Sequence, residues 1–179
     1  SKEMLLKAQQ GGYAVGAFNA ENMEMVKAII QAAEELKAPV MIQTTPSTIK
    51  YGTLETYQAI VAAEAAKASV PVCLHLDHGS SFELAMQAIH AGYTSVMIDG
   101  SKLDFEANIA ETKRVADVAK ALDIPCEAEL GKVGGKEDDL EAEADTNTDP
   151  QEAKEFVERT GVTSLAVAIG TAHGFYVGT

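Results

Sequence analysis

The stretch VPVCLHLDHGSS, residues 70–81, decides the fold class, because an apolar run in it passes abruptly into charged residues. Apolar side chains dominate residues 70–76, which predicts a β-strand that is covered on both faces. Asp77 and His78 follow where that strand is expected to end. A helix is predicted from about residue 81 to 91, so the stretch indicates one strand followed by one helix.

The same strand-helix unit recurs along nearly the whole chain in both directions. Strands are predicted over 14–18, 39–43, 70–76, 95–98, 124–130 and 165–169. Amphipathic helices are predicted over 21–36, 53–68, 81–91, 104–122 and from 149 to just before 161. The strands are continuously apolar rather than alternating, and six βα steps follow one another. This pattern predicts an α/β fold with a parallel sheet.

Local residue signals place the ends of two of these helices. Ser80 and Glu83 have the spacing of a capping box, which predicts the start of the third helix. Gly92 is placed to end that helix. Asp149 and Pro150 are typical of the cap and the first position of the last helix.

Two architectures fit this order, an open doubly wound sheet and a (β/α)8 barrel. The fingerprint G-x-G-x-x-G of dinucleotide-binding sheets does not follow the first strand. Polar residues at the strand ends would converge on the face of a barrel that carries active sites. These residues are Asn19, Gln43 to Thr45, Asp77, His78, Asp99, Glu129 and His173. We therefore expect a TIM barrel, of which the chain supplies about the first six βα units.

Composition excludes several classes of protein. The chain has 179 residues, of which 46% are hydrophobic and 23% charged, as in ordinary globular proteins. With 14 Lys and Arg against 27 Asp and Glu, the net charge of −13 argues against nucleic acid as a partner. No apolar run approaches the ~20 residues that span a bilayer. Two cysteines provide no disulfide framework, so we expect a cytoplasmic protein without a membrane partner.

The pair Asp77-His78 is the sharpest chemical signal, since it places a potential base beside a potential metal ligand. His173 follows the sixth predicted strand, so its imidazole and that of His78 are expected to meet at the barrel mouth. Catalytic zinc usually has three protein ligands and one open position. Only two strong candidates are visible, and a hydrogen-bonded structural histidine is the alternative at each position.

Carboxylates supply the remaining candidates for the site. Asp99 and Glu129 end strands and are expected to hold a second cation or to orient the histidines. Asp99 is alternatively a turn cap. Glu127 alternates with Glu129, so both point to one side of the strand and either one is a candidate. The long loop that begins at 131 is expected to act as a lid that carries Glu137, although a solvated acidic run is the alternative.

Six stretches, taken in this order, resemble the class II, zinc-dependent ketose-bisphosphate aldolases, a family of (β/α)8 barrels. They are GGYAVGAFN (11–19), LHLDHGSS (74–81), AIHAGYTSVMIDGS (88–101), EAELGKVGGKEDD (127–139), TDPQEAKEFVERTGV (148–162) and IGTAHGFY (169–176). No lysine ends any predicted strand, which argues against the Schiff-base type of aldolase. The resemblance covers essentially the whole chain.

The resemblance implies a role for each candidate residue. Asp77 is the expected acid/base at the hydroxyl of the carbon where the C–C bond breaks, and Glu137 the expected mobile-loop glutamate. His78 and His173 match two of three zinc ligands. Asp99 and Glu129 match family carboxylates at a second or alternative metal position. Gly174 matches a position where family members bind phosphate and a monovalent cation. Asn19, Gln43 and Thr45 match positions that line the floor of the substrate site.

The implied reaction is the reversible cleavage of a ketose 1,6-bisphosphate, of the fructose or tagatose type. Its products are dihydroxyacetone phosphate and an aldehyde phosphate, glyceraldehyde 3-phosphate, with Zn2+ stabilising the enediolate. Family members are usually homodimers or homotetramers. Two alternatives stay open: a non-catalytic barrel subunit of an aldolase assembly, and an aldolase for a related deoxy-sugar phosphate.

The chain departs from the family pattern in its length. Family chains continue through two more βα units, which supply the third zinc histidine and a second phosphate-binding loop. We therefore expect residues 1–179 to form one catalytic barrel domain that is truncated at its C-terminal end. On this expectation the 179-residue chain alone is inactive and binds zinc weakly.

Overall fold

A computed structural model describes residues 1–137, 140–142 and 147–174, with the backbone alone over the strands in 134–142. The helices are α1 Lys2–Gly11, α2 Met23–Leu36, α3 Pro46–Gly52, α4 Leu54–Ala65, α5 Phe82–Ala91, α6 Phe105–Ala121 and α7 Pro150–Thr160. The strands are β1 Gly16–Asn19, β2 Val40–Thr44, β3 Val72–Gly79, β4 Ser95–Ile98, β5 Cys126–Leu130, β6 Gly134–Glu137, β7 Leu140–Ala142, β8 Ser164–Val167 and β9 Ala172–His173.

Six parallel strands form a curled half-barrel in the order β1-β2-β3-β4-β5-β8. Each strand pairs with the next one along the sheet, and helices connect them, as continuous apolar runs require. This confirms the predicted α/β class and its six parallel strands. Because all six strands run in one direction, their carboxyl ends lie along a single rim.

The main core lies between the sheet and the surrounding helices. Ile42, Leu76 and Val96 are fully buried on the sheet side. Val26 from α2 and Phe156 from α7 are fully buried on the helix side. Each such side chain contributes about 1.5–3 kcal/mol through removal of apolar surface from water, so this layer holds the strand rim in place.

Several predicted boundaries differ from the structure. Strand β3 runs to Gly79, so Asp77 and His78 lie within the strand and not after its end. The cap of α5 is Ser81 and not Ser80, because the Ser81 hydroxyl accepts a hydrogen bond from the Leu84 amide at 3.1 Å. The capping-box prediction was therefore wrong by one residue.

The prediction of one long loop after 131 was also wrong. Strands β6 and β7 pair antiparallel in that segment, and β6 pairs in parallel with β9, which together make a separate three-stranded sheet. Helices α1 and α3 were not predicted either. The predicted ends at Gly92, Asp149 and Pro150 are confirmed.

Glu34 of α2 ties that helix to the segment before β3. Its carboxylate accepts hydrogen bonds from the Ser69 amide, from the Ser69 hydroxyl at 2.8 Å and from the Val70 amide at 3.0 Å. The Ser69 hydroxyl, followed by the Val70 amide, lowers the pKa of this carboxyl to about 2. The folded chain therefore favours the ionised form.

The substitution Glu34→Gln is expected to remove a pH-dependent part of the stability. The unfolded chain takes up this proton near pH 4.5 and the folded chain only near pH 2. The contribution is therefore complete above pH 4.5 and is lost as the pH falls towards 2. Urea unfolding of both proteins between pH 2 and 6 measures it, with Glu35→Gln as the control. Equal pH slopes for wild type and Glu34→Gln would contradict the assignment.

Within the described part of the chain, none of the helices combines the length and the apolar character that crossing a membrane requires.

Candidate metal centre and active site

The candidate residues meet at the carboxyl ends of neighbouring strands. Asp77 and His78 lie on β3, Glu129 lies on β5, and Asp99 directly follows β4. Asn19 closes β1 at the same rim. In barrels of this type, the carboxyl-terminal rim is where side chains from different strands converge on a ligand.

Three of these side chains form a compact group with metal-binding chemistry. Single donor atoms of His78, Asp99 and Glu129 all lie within 4.8 Å of one another. The His78 Nδ1 atom lies 3.0 Å from Asp99 Oδ2 and 3.7 Å from Glu129 Oε2. All three side chains are nearly buried, at 8 to 12% exposure. We refer to these three residues as the metal cluster.

The backbone at the end of β3 explains how adjacent residues serve one site. In a regular strand Asp77 and His78 would point to opposite faces. The ladder to β4 shifts register between Leu76 and Gly79, and His78 has a φ of 48°, in the left-handed region. The next residue has to be small, since a Cβ on Gly79 would lie 2.2 Å from the Met97 carbonyl oxygen.

Asp77 lies beside the metal cluster and is only 7% exposed. Its Oδ2 atom accepts a hydrogen bond from the Asn19 side-chain amide at 3.3 Å. Since Asn19 is on β1 and Asp77 on β3, this contact passes across the end of β2. It orients the Asp77 carboxylate at the rim.

Negative charge accumulates at this rim. Burial and then repulsion from Asp77 raise the pKa of Glu127 to about 7, and burial followed by repulsion from Asp99 raises that of Glu129 to about 7. For Asp99, burial opposes ionisation, but hydrogen bonds from His78 and Ser101 outweigh it and lower its pKa. A cation would relieve the repulsion among these carboxyl groups.

The donor set fits a divalent cation. One imidazole nitrogen and carboxylate oxygens, close together and largely withdrawn from water, are ligands of Zn2+ and of related divalent metals. The fit is supported by the short separations among the donor atoms of His78, Asp99 and Glu129, which all lie within 4.8 Å of one another. The same donors do not distinguish Zn2+ from other transition metals.

His173 approaches the metal cluster from the second sheet. Its ring centroid lies 5.9 Å from that of His78, with the rings edge to face. Strand β9 places it there by pairing Gly135 with His173 in register. The two predicted histidine ligands are therefore neighbours. Gly174 follows with a φ of 84° and is exposed.

The other predicted residues fall into different surroundings. Gln43 is half-buried on β2 beside the rim. Thr45 is buried, and its hydroxyl caps α3 by accepting from the Thr48 amide at 3.4 Å. The backbone of Glu137 lies in β6, and its side chain is outside the described part.

His75 is a packed residue beneath the site, as its place in an apolar strand suggests. Its Nδ1 atom lies 2.8 Å from the Ser95 hydroxyl, and its Nε2 atom lies 3.7 Å from Glu127. Burial lowers the pKa of His75 to about 3, so the ring is neutral. One oxygen of Asp99 lies 3.0 Å from His78 Nδ1, and the other accepts a hydrogen bond from the Ser101 amide at 3.0 Å, as a turn cap does.

The sequence pattern of the family described as fructose-bisphosphate aldolase class-II matches residues 1–179. A probable fructose-bisphosphate aldolase of Bacillus subtilis (strain 168) is 51% identical over 179 residues, with 98% of this chain and 63% of the relative covered. A fructose-bisphosphate aldolase of Thermus caldophilus is 49% identical over 178 residues, which cover 98% of this chain and 58% of the relative.

Solved structures agree with these sequence relatives. The YdjI aldolase from Escherichia coli K12 superposes with a TM-score of 0.86 at 42% identity, over 96% of this chain and 62% of that one. A putative fructose-1,6-biphosphate aldolase from Coccidioides immitis reaches a TM-score of 0.89 at 35% identity, over 97% and 62%. The chain thus spans about three fifths of the length of these relatives.

The match from the first residue to the last agrees with the half-barrel and with the position of its polar rim. Identities of about half over nearly the whole chain are far above what a shared fold alone produces. The chain belongs to the class II fructose-bisphosphate aldolase family.

Proposed function

We propose that the protein is a metal-dependent aldolase that reversibly cleaves fructose 1,6-bisphosphate to dihydroxyacetone phosphate and glyceraldehyde 3-phosphate. The observation that supports this best is the position of Asp77, a nearly buried carboxylate, next to the metal cluster of His78, Asp99 and Glu129. Aldol cleavage needs these two parts side by side, a base at a hydroxyl and an electrophile at a carbonyl.

The metal would be held by His78 and His173, with Asp99 and Glu129 at a second or alternative position. A bound Zn2+ supplies Lewis acidity, which stabilises the negative charge that develops on the ketone-derived enediolate. The chain's own residues bind and orient around it. We also assign to Gly174 a part in binding phosphate and a monovalent cation, as the family resemblance implies.

Asp77 accepts the proton from the hydroxyl at the carbon whose bond to its neighbour breaks. In the synthetic direction the same oxygen returns that proton to the new hydroxyl. The Asn19 side-chain amide donates a hydrogen bond to Asp77 Oδ2 and so fixes the carboxylate in one orientation. We assign the proton transfer at the ketone-derived fragment to Glu137, and contacts to the bisphosphate to Gly174, Gln43 and Thr45.

The names of the sequence relatives favour the fructose substrate over the tagatose one. Two further βα units would close the half-barrel, and we propose that they bring the third histidine ligand and a second phosphate-binding loop. In that form residues 1–179 are the larger part of one catalytic domain.

A homodimer or homotetramer in the cytoplasm remains the expected state. Both cysteines are buried free thiols, as a reducing compartment allows.

Removal of metal tests this function. In a polypeptide that carries this chain with the remaining βα units, prolonged chelation is expected to abolish cleavage of fructose 1,6-bisphosphate. Stoichiometric Zn2+ should restore it, because the metal supplies the Lewis acidity that stabilises the enediolate charge. A coupled assay of dihydroxyacetone phosphate release measures both steps, with tagatose 1,6-bisphosphate run in parallel. Undiminished cleavage by protein shown to be free of metal would contradict the proposal.

A further inference from the structure

Asn108 is a buried polar residue of α6 that contacts the strands behind the metal cluster. It is 1% exposed, although asparagine is rarely buried without a specific hydrogen-bonding role. Its side-chain amide donates to the backbone carbonyl of Glu129 at 2.9 Å. Its side-chain oxygen accepts from the Thr112 hydroxyl, one turn further along the helix, at 3.0 Å. Both ends of the amide are therefore used.

The hydrogen bond to Glu129 replaces a missing rung of the sheet. Alternate carbonyls of β5 face β4, as the bond from the Val96 amide to the Pro125 carbonyl shows. The register of the two strands ends at Ile98 opposite Ala128. Strand β4 itself ends at Ile98, and the Glu129 carbonyl receives the Asn108 amide where a longer strand would have supplied a backbone N–H.

The same side chain also contacts the backbone just after Asp99. A Cβ on Gly100 would lie 2.2 Å from the Asn108 side-chain oxygen, so the chain passes the amide at closest approach. A glycine is required here for space. Asn108 thus touches the backbone of Glu129 in β5 and of Gly100, which follows Asp99. Asp99 and Glu129 are the two carboxylates of the metal cluster.

We infer that Asn108 is a positioning residue for the metal centre, which holds Asp99 and Glu129 at the separation that a shared cation needs. The inference rests on the proposed function, because it takes the metal cluster as the cation site. Asn108 itself lies on the outer side of the sheet and does not coordinate. Thr112 supports it by fixing which end of the amide faces Glu129.

Titration with Co2+ alone of the closed-barrel polypeptide that carries this chain, followed by the visible absorption of the bound ion, tests the inference. Asn108→Ala is expected to weaken Co2+ binding by about 10- to 100-fold, as loss of groups that orient metal ligands commonly does. Thr112→Val keeps the amide and removes its anchor, so a smaller loss in the same direction is expected. Val115→Ala is the matched control, since it also makes a gap on the buried side of α6.

Hydrogen exchange provides a readout without metal. Backbone amides of 99–101 and 129–131 should exchange faster in Asn108→Ala than in Val115→Ala, when the two are compared under conditions in which they are equally stable. Should Asn108→Ala not fold, Thr112→Val decides the matter by both measurements. Equal Co2+ affinity for the Asn108 or Thr112 variant and Val115→Ala would overturn the inference alone. Failure of the wild-type closed-barrel polypeptide to bind Co2+ would overturn it together with the proposed metal centre.

Discussion

Replacement of Asp77 by asparagine is expected to lower the rate of fructose 1,6-bisphosphate cleavage by about 100- to 10,000-fold, the usual contribution of a positioned general base. The asparagine side chain has nearly the same shape but does not accept the hydroxyl proton. Its amide can still pair with the Asn19 side chain, which lies 3.3 Å from the carboxylate in the wild type. The geometry of the rim is therefore kept while the base is removed.

The measurement is kcat and KM for the closed-barrel polypeptide that carries this chain. The loss should appear in kcat, because the substrate's phosphates and the metal are held by other groups. Asp117→Asn is the matched control: this carboxylate is exposed on α6 and forms an ion pair with Lys113 at 2.8 Å. A kcat within a few-fold of wild type for Asp77→Asn would rule out Asp77 as the base.

The second large effect is expected from His78→Ala, which removes the only imidazole of the metal cluster. Removal of a ligand exceeds the about 10- to 100-fold loss that follows from disturbing a group that merely orients one. We therefore expect Zn2+ affinity to fall by more than about 100-fold, and cleavage to be lost with it. Equilibrium dialysis with Zn2+ measures the affinity of the closed-barrel polypeptide that carries this chain.

Two further variants separate ligand loss from backbone effects. His78 has a φ of 48°, a conformation that asparagine adopts more readily than alanine. His78→Asn should therefore fold like wild type and still bind Zn2+ poorly. His90→Ala removes an exposed imidazole of α5 and is expected to change nothing. Wild-type affinity in His78→Asn would show that this imidazole is not a ligand.

The strands of the half-barrel could be predicted from sequence because each is an apolar run bounded by polar residues. The inner strands β2 and β4 are almost wholly buried, and β4 was predicted at its observed bounds, 95–98. The outer strands β1 and β8 are exposed or half-buried, although their runs are apolar too. Strands β6 and β7 could not be predicted this way. They contain glycines and charged residues with low strand propensity, and they are paired with each other and with β9, which is distant in sequence.

Helix α3 shows a different kind of omission. It is seven residues long, too short for an apolar period to be visible. Its start was nevertheless marked, since Thr45 is a favoured cap and Pro46 a favoured first position. Thr45 was interpreted only as a site residue, and its hydroxyl in fact caps this helix. The cap signal was present and was assigned to another role.

The convergence of Asp77, His78, Asp99 and Glu129 could be predicted, because parallel strands must end at a common rim. Their mutual geometry could not. The left-handed backbone of His78 and the register shift before Gly79 depend on how β3 meets β4, which no local pattern encodes. Asn108 was missed for the same reason: within α6 it resembles a surface residue, and only the packed structure brings it to Glu129.

The position of the bound ion tests the central claim most directly. Crystals of the protein grown with Zn2+, and measured at wavelengths on either side of the zinc absorption edge, locate it without reference to activity. We expect one anomalous peak at the carboxyl-terminal rim, within about 2.0–2.2 Å of the His78 ring and of at least one other candidate ligand. A zinc peak that lies elsewhere, with the rim free of metal at saturating Zn2+, would contradict the account.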